Sequence, residues 1–286
     1  MKMIPAQFRE IFFLLLRLRS SPAFHAYIHA YQGIAKPPYE SFEVSCELID
    51  GVKTDRMRMA ILGLRRLDVK RWMTASKGED PLLEGILYEN NTEACFGIGL
   101  VDFSHGHGIS RAKIFNEYGQ RPSQLQKRKH VRKLFSMLNV YSAEFEKDLD
   151  RFKTIKLSSI DWDLQGQAMI KVYYGPFTPK AMHKKFPEML HKDRNLDYHN
   201  LERNDLMPQA FEICARYGFH RPSLKVNMKC RRGRTVPYLK MFDEKREASK
   251  FFADIYSKIP ALELTYICEE WDPVRKTQFY FDVLKA

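Results

Sequence analysis

The chain has 286 residues, with 47 Lys and Arg against 35 Asp and Glu, so its formal net charge is 47 − 35 = +12. With 44% apolar and 29% charged residues it can bury a sizeable core, and it has neither a disordered nor a collagen-like composition. Its 5 cysteines (Cys46, Cys95, Cys214, Cys230, Cys268) are scattered and form no CxxC pair, which argues against a zinc ribbon or a disulfide framework and for free thiols in a reducing cytoplasm.

The elements follow in chain order. Residues 5–19 predict an amphipathic helix. Its apolar run, Ile11 to Leu16, is closed by Arg17 and Arg19, far short of the roughly 20 residues of a membrane span. No membrane partner is expected. Hairpins are predicted at 41–49 with 55–64, 93–103 with 109–118, 156–164 with 168–177, 222–231 with 235–243, and 262–270 with 276–284. The turn signals are Asp50-Gly51, the Gly106 and Gly108 region, Gln165-Gly166, Gly233 and Asp272-Pro273. Helices are predicted at 123–140, 142–152, 178–190, 205–217 and 247–258. The order helix, helix, strand, strand thus recurs about five times over the single domain 1–286, with helices in 1–38 belonging to the first unit. Repeated hairpins joined by helices predict one antiparallel sheet with helices on a single face.

Reading each strand two residues at a time separates its faces. Arg56 and Arg58 oppose Met57 and Met59. Lys113 and Phe115 oppose Ala112 and Ile114. Lys171 and Tyr173 oppose Ile170 and Val172. Tyr238, Lys240 and Phe242 oppose Leu239 and Met241. Gln278, Tyr280 and Asp282 oppose Phe279, Phe281 and Val283. The short pattern Lys-apolar-aromatic recurs at 113–115, 171–173 and 240–242. The aliphatic faces should meet the helices. Ten strands in one twisted sheet tend to curl, split or close. On closure with helices outside, the cationic and aromatic faces line a lumen wide enough for a ligand. Cations gathered there need an anion, and a diphosphate suits them. Glu43, facing away from Phe42 and Val44, enters this chamber as a carboxylate. It could be a general base, orient an acceptor, or pair with Arg58. Lys225 and Lys229 are weaker candidates for the rim, and the basic run Lys127 to Lys133 reads as a solvated helix face. No Gly-rich nucleotide loop and no metal-ligating set is identifiable.

Two segments carry a resemblance. The hairpin Ile160-Asp161-Trp162-Asp163-Leu164 with Ile170-Lys171-Val172-Tyr173-Tyr174 is similar to one common in the ABBA-type (PT-barrel) aromatic prenyltransferases. Ser41-Phe42-Glu43-Val44-Ser45-Cys46 with Arg56 and Arg58 resembles the first hairpin of the cyanobactin prenyltransferases, which modify ribosomal peptides. The likeness implies an α+β fold: a closed, ten-stranded antiparallel β-barrel with a solvent-filled lumen inside an outer ring of α-helices, built from five ααββ repeats. It implies transfer of a dimethylallyl group from dimethylallyl diphosphate to a side chain of a peptide, in that subfamily macrocyclic. Arg56 or Arg58, Lys113, Lys171 and Lys240 would grip the diphosphate, and Tyr173, Tyr238 and Tyr280 would shield the allylic cation. Glu43 would take a proton from the acceptor or hydrogen-bond it. Mg²⁺ would ride mainly on the diphosphate, with no organic cofactor, since no Asp-rich DDxxD motif is present. Phe115 stands where many relatives have Tyr. The alternative is a single-stranded nucleic-acid-binding sheet that exposes the same cations and aromatics. Closure decides between the two: a barrel hides the cations, and a nucleic-acid binder shows them.

Overall fold

The computed structural model describes residues 41–64, 85–88, 95–103, 108–140, 143–163, 167–190, 197–218, 223–257, 262–270 and 275–283. The helix expected at 5–19 and the other helices of the first unit lie outside these residues. Ten strands are present: β1 (Ser41–Ile49), β2 (Val52–Leu64), β3 (Cys95–Phe103), β4 (Gly108–Glu117), β5 (Ile155–Asp163), β6 (Ala168–Phe177), β7 (Ala210–Tyr217), β8 (Ser223–Lys229), β9 (Leu262–Glu270) and β10 (Lys276–Val283). Each pairs antiparallel with the next, and β1 returns to pair with β10, so the ring closes. Closure removes the sheet edges that would otherwise invite pairing with another chain. At the β1–β2 turn, Asp50 and Gly51 both take positive φ (49° and 74°), the requirement of a two-residue type I′ hairpin.

Around the strands lie α1 (Gln124–Met137), α2 (Ala143–Phe152), α3 (Pro179–Lys185), a 3₁₀ turn (Pro187–Met189), α4 (Tyr198–Arg203), α5 (Thr235–Phe242) and α6 (Glu247–Tyr256). Ser123 and Gln126 form a reciprocal capping box that starts α1. Phe145, Leu149 and Phe152 lie one to two turns apart and form the buried stripe of α2. The helix expected over 178–190 divides at Pro187, which cannot continue an α-helix. Among the described residues no helix is long and apolar enough to cross a membrane.

The hydrophobic core lies between barrel and helices. Val44, Cys46, Ile114, Ile160, Val172, Ile213 and Phe281 point outward from their strands to meet Val131, Leu134, Phe145, Leu149 and Phe251. Phe135 of α1 stacks on Phe145 of α2 at 4.5 Å. The Tyr217 hydroxyl donates to Asp148 at 2.6 Å and ties α2 to β7. With the aliphatic faces spent on this layer, the other face of every strand turns to the barrel axis.

The fourth hairpin departs from expectation. It is built from β7 and β8, whereas 235–242, expected as a strand, is helix α5 and most of 205–217, expected as a helix, is strand β7. The physical reason is in the spacing. Phe211, Ile213, Ala215 and Tyr217 alternate with Glu212, Cys214 and Arg216, a period of two. Thr235, Tyr238, Leu239 and Phe242 are buried at i, i+3, i+4 and i+7, a helical stripe. Tyr238 is therefore a core residue whose hydroxyl accepts from the Arg231 backbone N–H at 3.4 Å. Lys240 is exposed to solvent on α5. Neither belongs to the lumen.

Candidate active site

The lumen is sorted by charge along its axis. At one end a small polar cavity of about 30 Å³ is lined by Arg58 from β2, Lys113 from β4, Lys171 from β6, Arg216 from β7, Lys225 from β8 and Lys276 from β10, with Glu47 and Glu270 beside them. Lys113 and Lys171 are each only 3% exposed, and they share a single carboxylate, Asp161 of β5, 2% exposed. Asp161 Oδ2 lies 2.6 Å from Lys171 Nζ and 3.1 Å from Lys113 Nζ. The sheet register makes this meeting: Asp161 faces Lys113 directly across the β4–β5 pair, and Lys171 sits diagonally on β6. Arg216 is paired with Glu270. Among the described residues the Lys225 ammonium donates to a phenol, Tyr280 Oη at 3.5 Å.

Burial and charge set the titration of this cluster. Burial drives the Lys113 ammonium well below its ordinary range even with Asp161 beside it. Lys171 is lowered by burial to about 8, with Asp161 opposing the shift and Lys225 and Arg216 adding to it. Burial alone would raise Asp161, but Lys113 and Lys171 outweigh it and hold the carboxyl far below the usual carboxylate range. By count the cluster gathers more cations than carboxylates, and Lys113 and Lys171 are almost wholly buried.

Above the cations the lumen widens into a cavity of about 140 Å³ that shares Arg58, Lys225 and Cys268 with the polar one and is lined by Phe115, Tyr173, Tyr266 and Tyr280. The Arg58 guanidinium lies 5.1 Å from the Phe115 ring and 4.9 Å from the Tyr280 ring. Its Nη2 donates to Glu43 Oε1 at 2.6 Å and its Nη1 to Tyr280 Oη at 3.3 Å, while its buried Nε has no partner among the described residues. Burial raises the Glu43 carboxyl above its ordinary value, against the pull of Arg58, Lys113 and Lys225. Tyr173 and Tyr280 are likewise pushed well up by burial and stay as neutral phenols. On the far wall, a register shift in β5 between Ile155 and Leu157 lets Lys156 join Leu157 in lining the chamber, where Lys156 meets Glu212 at 2.6 Å.

Of the residues expected from the sequence, the fold brings Glu43, Arg58, Lys113, Lys171, Tyr173 and Tyr280 together. Between Arg56 and Arg58 the sequence left the lumen position open; Arg58 occupies it, and the side chain of Arg56 lies outside the described residues. Lys240 and Tyr238 are replaced by residues of β7 and β8, chiefly Arg216 and Lys225. The missed strand β7 was legible as the alternation 211–217. The clamp by Asp161 was not legible, because it depends on cross-strand register. The cations and aromatics that a single-stranded nucleic acid would need on an open face are enclosed within the barrel.

No family model and no curated protein matches the chain. Solved structures do. The prenyltransferase PriB, in a ternary complex with L-tryptophan and dimethylallyl thiolodiphosphate, is 13% identical with a TM-score of 0.64, over 98% of this chain and 96% of that one. The 6-dimethylallyltryptophan synthase of Micromonospora olivasterospora, in complex with DMASPP and Trp, is 11% identical with a TM-score of 0.65, over 97% and 96%. The 5-dimethylallyl tryptophan synthase of Streptomyces coelicolor is 12% identical with a TM-score of 0.59, over 97% and 93%. The chain has the fold of these prenyltransferases, the PT-barrel, along nearly its whole length.

Proposed function

We propose that the protein is a prenyltransferase that moves a dimethylallyl group from dimethylallyl diphosphate to a side chain of a peptide, macrocyclic by its likeness to the cyanobactin enzymes. The observation that carries this reading is the order of groups in one enclosed lumen: a cation cluster, then an aromatic collar, then Glu43. The diphosphate sits among Arg58, Lys113, Lys171, Arg216 and Lys225. The allylic C–O bond breaks and its electron pair leaves on the diphosphate, whose growing charge these groups stabilise. The rings of Tyr173, Tyr280 and Phe115 face the allylic cation, favour its charge and keep water from it. The acceptor atom bonds to the allylic carbon and its proton passes to Glu43.

Among the described residues no three His, Cys, Asp or Glu side chains gather as a metal site, and Asp161 is already engaged by two lysines. A magnesium ion held by the protein does not fit this cluster. Any magnesium would enter on the diphosphate itself, and no step above passes through it. Free, buried Cys46, Cys214, Cys230 and Cys268 are in keeping with a reducing cytoplasm.

The test is incubation with dimethylallyl diphosphate and a panel of cyclic peptides, read by mass spectrometry. One isoprene unit added to a peptide supports the reading. No added mass with any peptide, together with no binding of inorganic diphosphate, would reject it.

A further inference from the structure

Beyond the aromatic collar the lumen changes sign. Glu43 of β1 stands directly opposite Asp282 of β10, and Asp282 stands opposite Glu263 of β9, so three carboxylates share one level of the barrel. Of these, Glu43 lines the wider chamber, as do Glu117 of β4 and Glu212 of β7, while Asp282 and Glu263 stand beside Glu43 in the strand register. The buried Tyr266 hydroxyl is pushed well up, first by burial, then by Glu212, and further by Asp282 and Glu117.

The balancing cations are fewer. Arg58 pairs with Glu43 and Lys156 with Glu212, and Lys225 lines the same chamber and also acts on Glu43. Burial and then Glu43 push the Asp282 carboxyl well up, against a hydrogen bond from Thr265 and the weaker pull of Arg58 and Lys229, so a cation arriving beside it would be met by a group short of positive partners. Asp282 is 9% exposed. Its Oδ1, like Glu263 Oε2, is buried with no hydrogen-bond partner among the described residues. A buried carboxylate oxygen without a donor is costly and points to a group that arrives with a ligand. The adjoining chamber is lined by Phe115, Tyr173, Tyr266 and Tyr280, whose ring faces also favour a cation.

Resting on the prenyl-transfer reading, we propose that the acceptor carries a positive charge, seated among Glu43, Glu117, Asp282 and Glu263 on the side of the collar away from the diphosphate. One chemistry serves two sources: the guanidinium of an arginine side chain, which then reacts itself, or the amino group of an acceptor whose aromatic ring reacts. In the first case a guanidinium nitrogen forms the new N–C bond as the allylic C–O bond breaks, and its proton goes to Glu43. In the second the cation anchors the acceptor and takes no part in bond making.

The experiment measures kcat/KM for matched acceptors that differ by one charge: a cyclic peptide with arginine against the same peptide with citrulline, and free tryptophan against N-acetyltryptophan. Binding of inorganic diphosphate is measured first, so that a protein that does not bind it fails on the underlying reading rather than on this one. The charged member of the active pair is expected to be preferred by tenfold or more, which about 1.4 kcal/mol provides. Activity with the arginine peptide assigns the guanidinium, and activity with tryptophan assigns the amino group. In Glu117→Gln, on the half-exposed wall, and in Asp282→Asn the preference should shrink severalfold with diphosphate affinity unchanged. Neutral acceptors used within twofold of charged ones, or an undiminished preference in both variants, overturns the proposal.

Discussion

Asp161→Asn isolates the role of the carboxylate shared by two lysines. At an effective dielectric of about 20, charges 2.6 and 3.1 Å apart attract by about 6 and about 5 kcal/mol before desolvation is counted. The net cost of breaking such a buried arrangement is about 3–5 kcal/mol. The lysines can avoid part of that cost by losing their protons. Lys171 sits at about 8 with Asp161 in place. A loss of about 3 kcal/mol corresponds to roughly two pKa units, enough to leave it mostly neutral at pH 7.5. Lys113, whose ammonium burial also holds well below its ordinary range, loses the same partner. Each charge-assisted hydrogen bond to phosphate contributes about 1.5–3 kcal/mol, so losing two weakens diphosphate binding by about 100-fold or more. Calorimetric titration with inorganic diphosphate from pH 6 to 8.5 measures this, with circular dichroism as the control for folding. The deficit should narrow toward pH 6, where Lys171 begins to regain its proton. A folded Asp161→Asn protein that binds diphosphate within twofold of the wild type at pH 7.5, or with a deficit that does not vary with pH, would refute the reasoning.

Three further outcomes follow from the same geometry. In the wild type, diphosphate affinity should decline as pH rises through about 8 because Lys171 loses its charge. Over the same range the unliganded protein should gain stability, since the folded state releases that proton before the unfolded chain does; thermal melts with and without diphosphate would show the opposing trends. Glu43→Gln keeps the shape of the side chain but removes the base, so kcat should fall by about 10²–10⁴ while diphosphate affinity changes by less than about threefold; equal losses in both would place Glu43 in donor binding instead. Lys240→Ala, which removes an exposed lysine on α5, should leave diphosphate affinity and turnover within twofold of the wild type, and a tenfold loss would contradict its position outside the barrel.

What the sequence discloses, and what it conceals, follows from the length scale of each signal. Alternation along one strand is local, and it placed Glu43, Lys113, Lys171, Tyr173 and Tyr280 on the inner face correctly. Arg56 and Arg58 share one face, so alternation could not choose between them; the choice turned on the pairing, which is regular at Arg58 opposite Ser45 and shifts just beyond it, between Cys46 and Leu48. The Lys240-Met241-Phe242 triplet shows how short patterns mislead. It matches Lys113-Ile114-Phe115 letter for class, yet Thr235, Tyr238, Leu239 and Phe242 define the helical period that the core obeys. The pairing of Asp161 with Lys113 and Lys171 needs three strands in register, and no window along the chain contains that information.

Charge order within the lumen also explains why one barrel can hold groups that would be costly separately. The cations Lys113, Lys171 and Lys225 and the carboxylates Glu43, Asp282 and Glu263 face the same enclosed space, but the collar of Phe115, Tyr173 and Tyr280 lies between most of them. Arg58 spans the collar, bonded to Glu43 and Tyr280, and Lys225, which also reaches Tyr280, lines both cavities with it. Full pairing across the lumen would fill it with salt bridges and leave no room for substrates. Keeping the two signs apart leaves each end short of a counter-ion, a diphosphate at one and a cationic acceptor at the other. The allylic carbon then falls at the aromatic collar, the one level where a transient positive charge meets ring faces and excluded water.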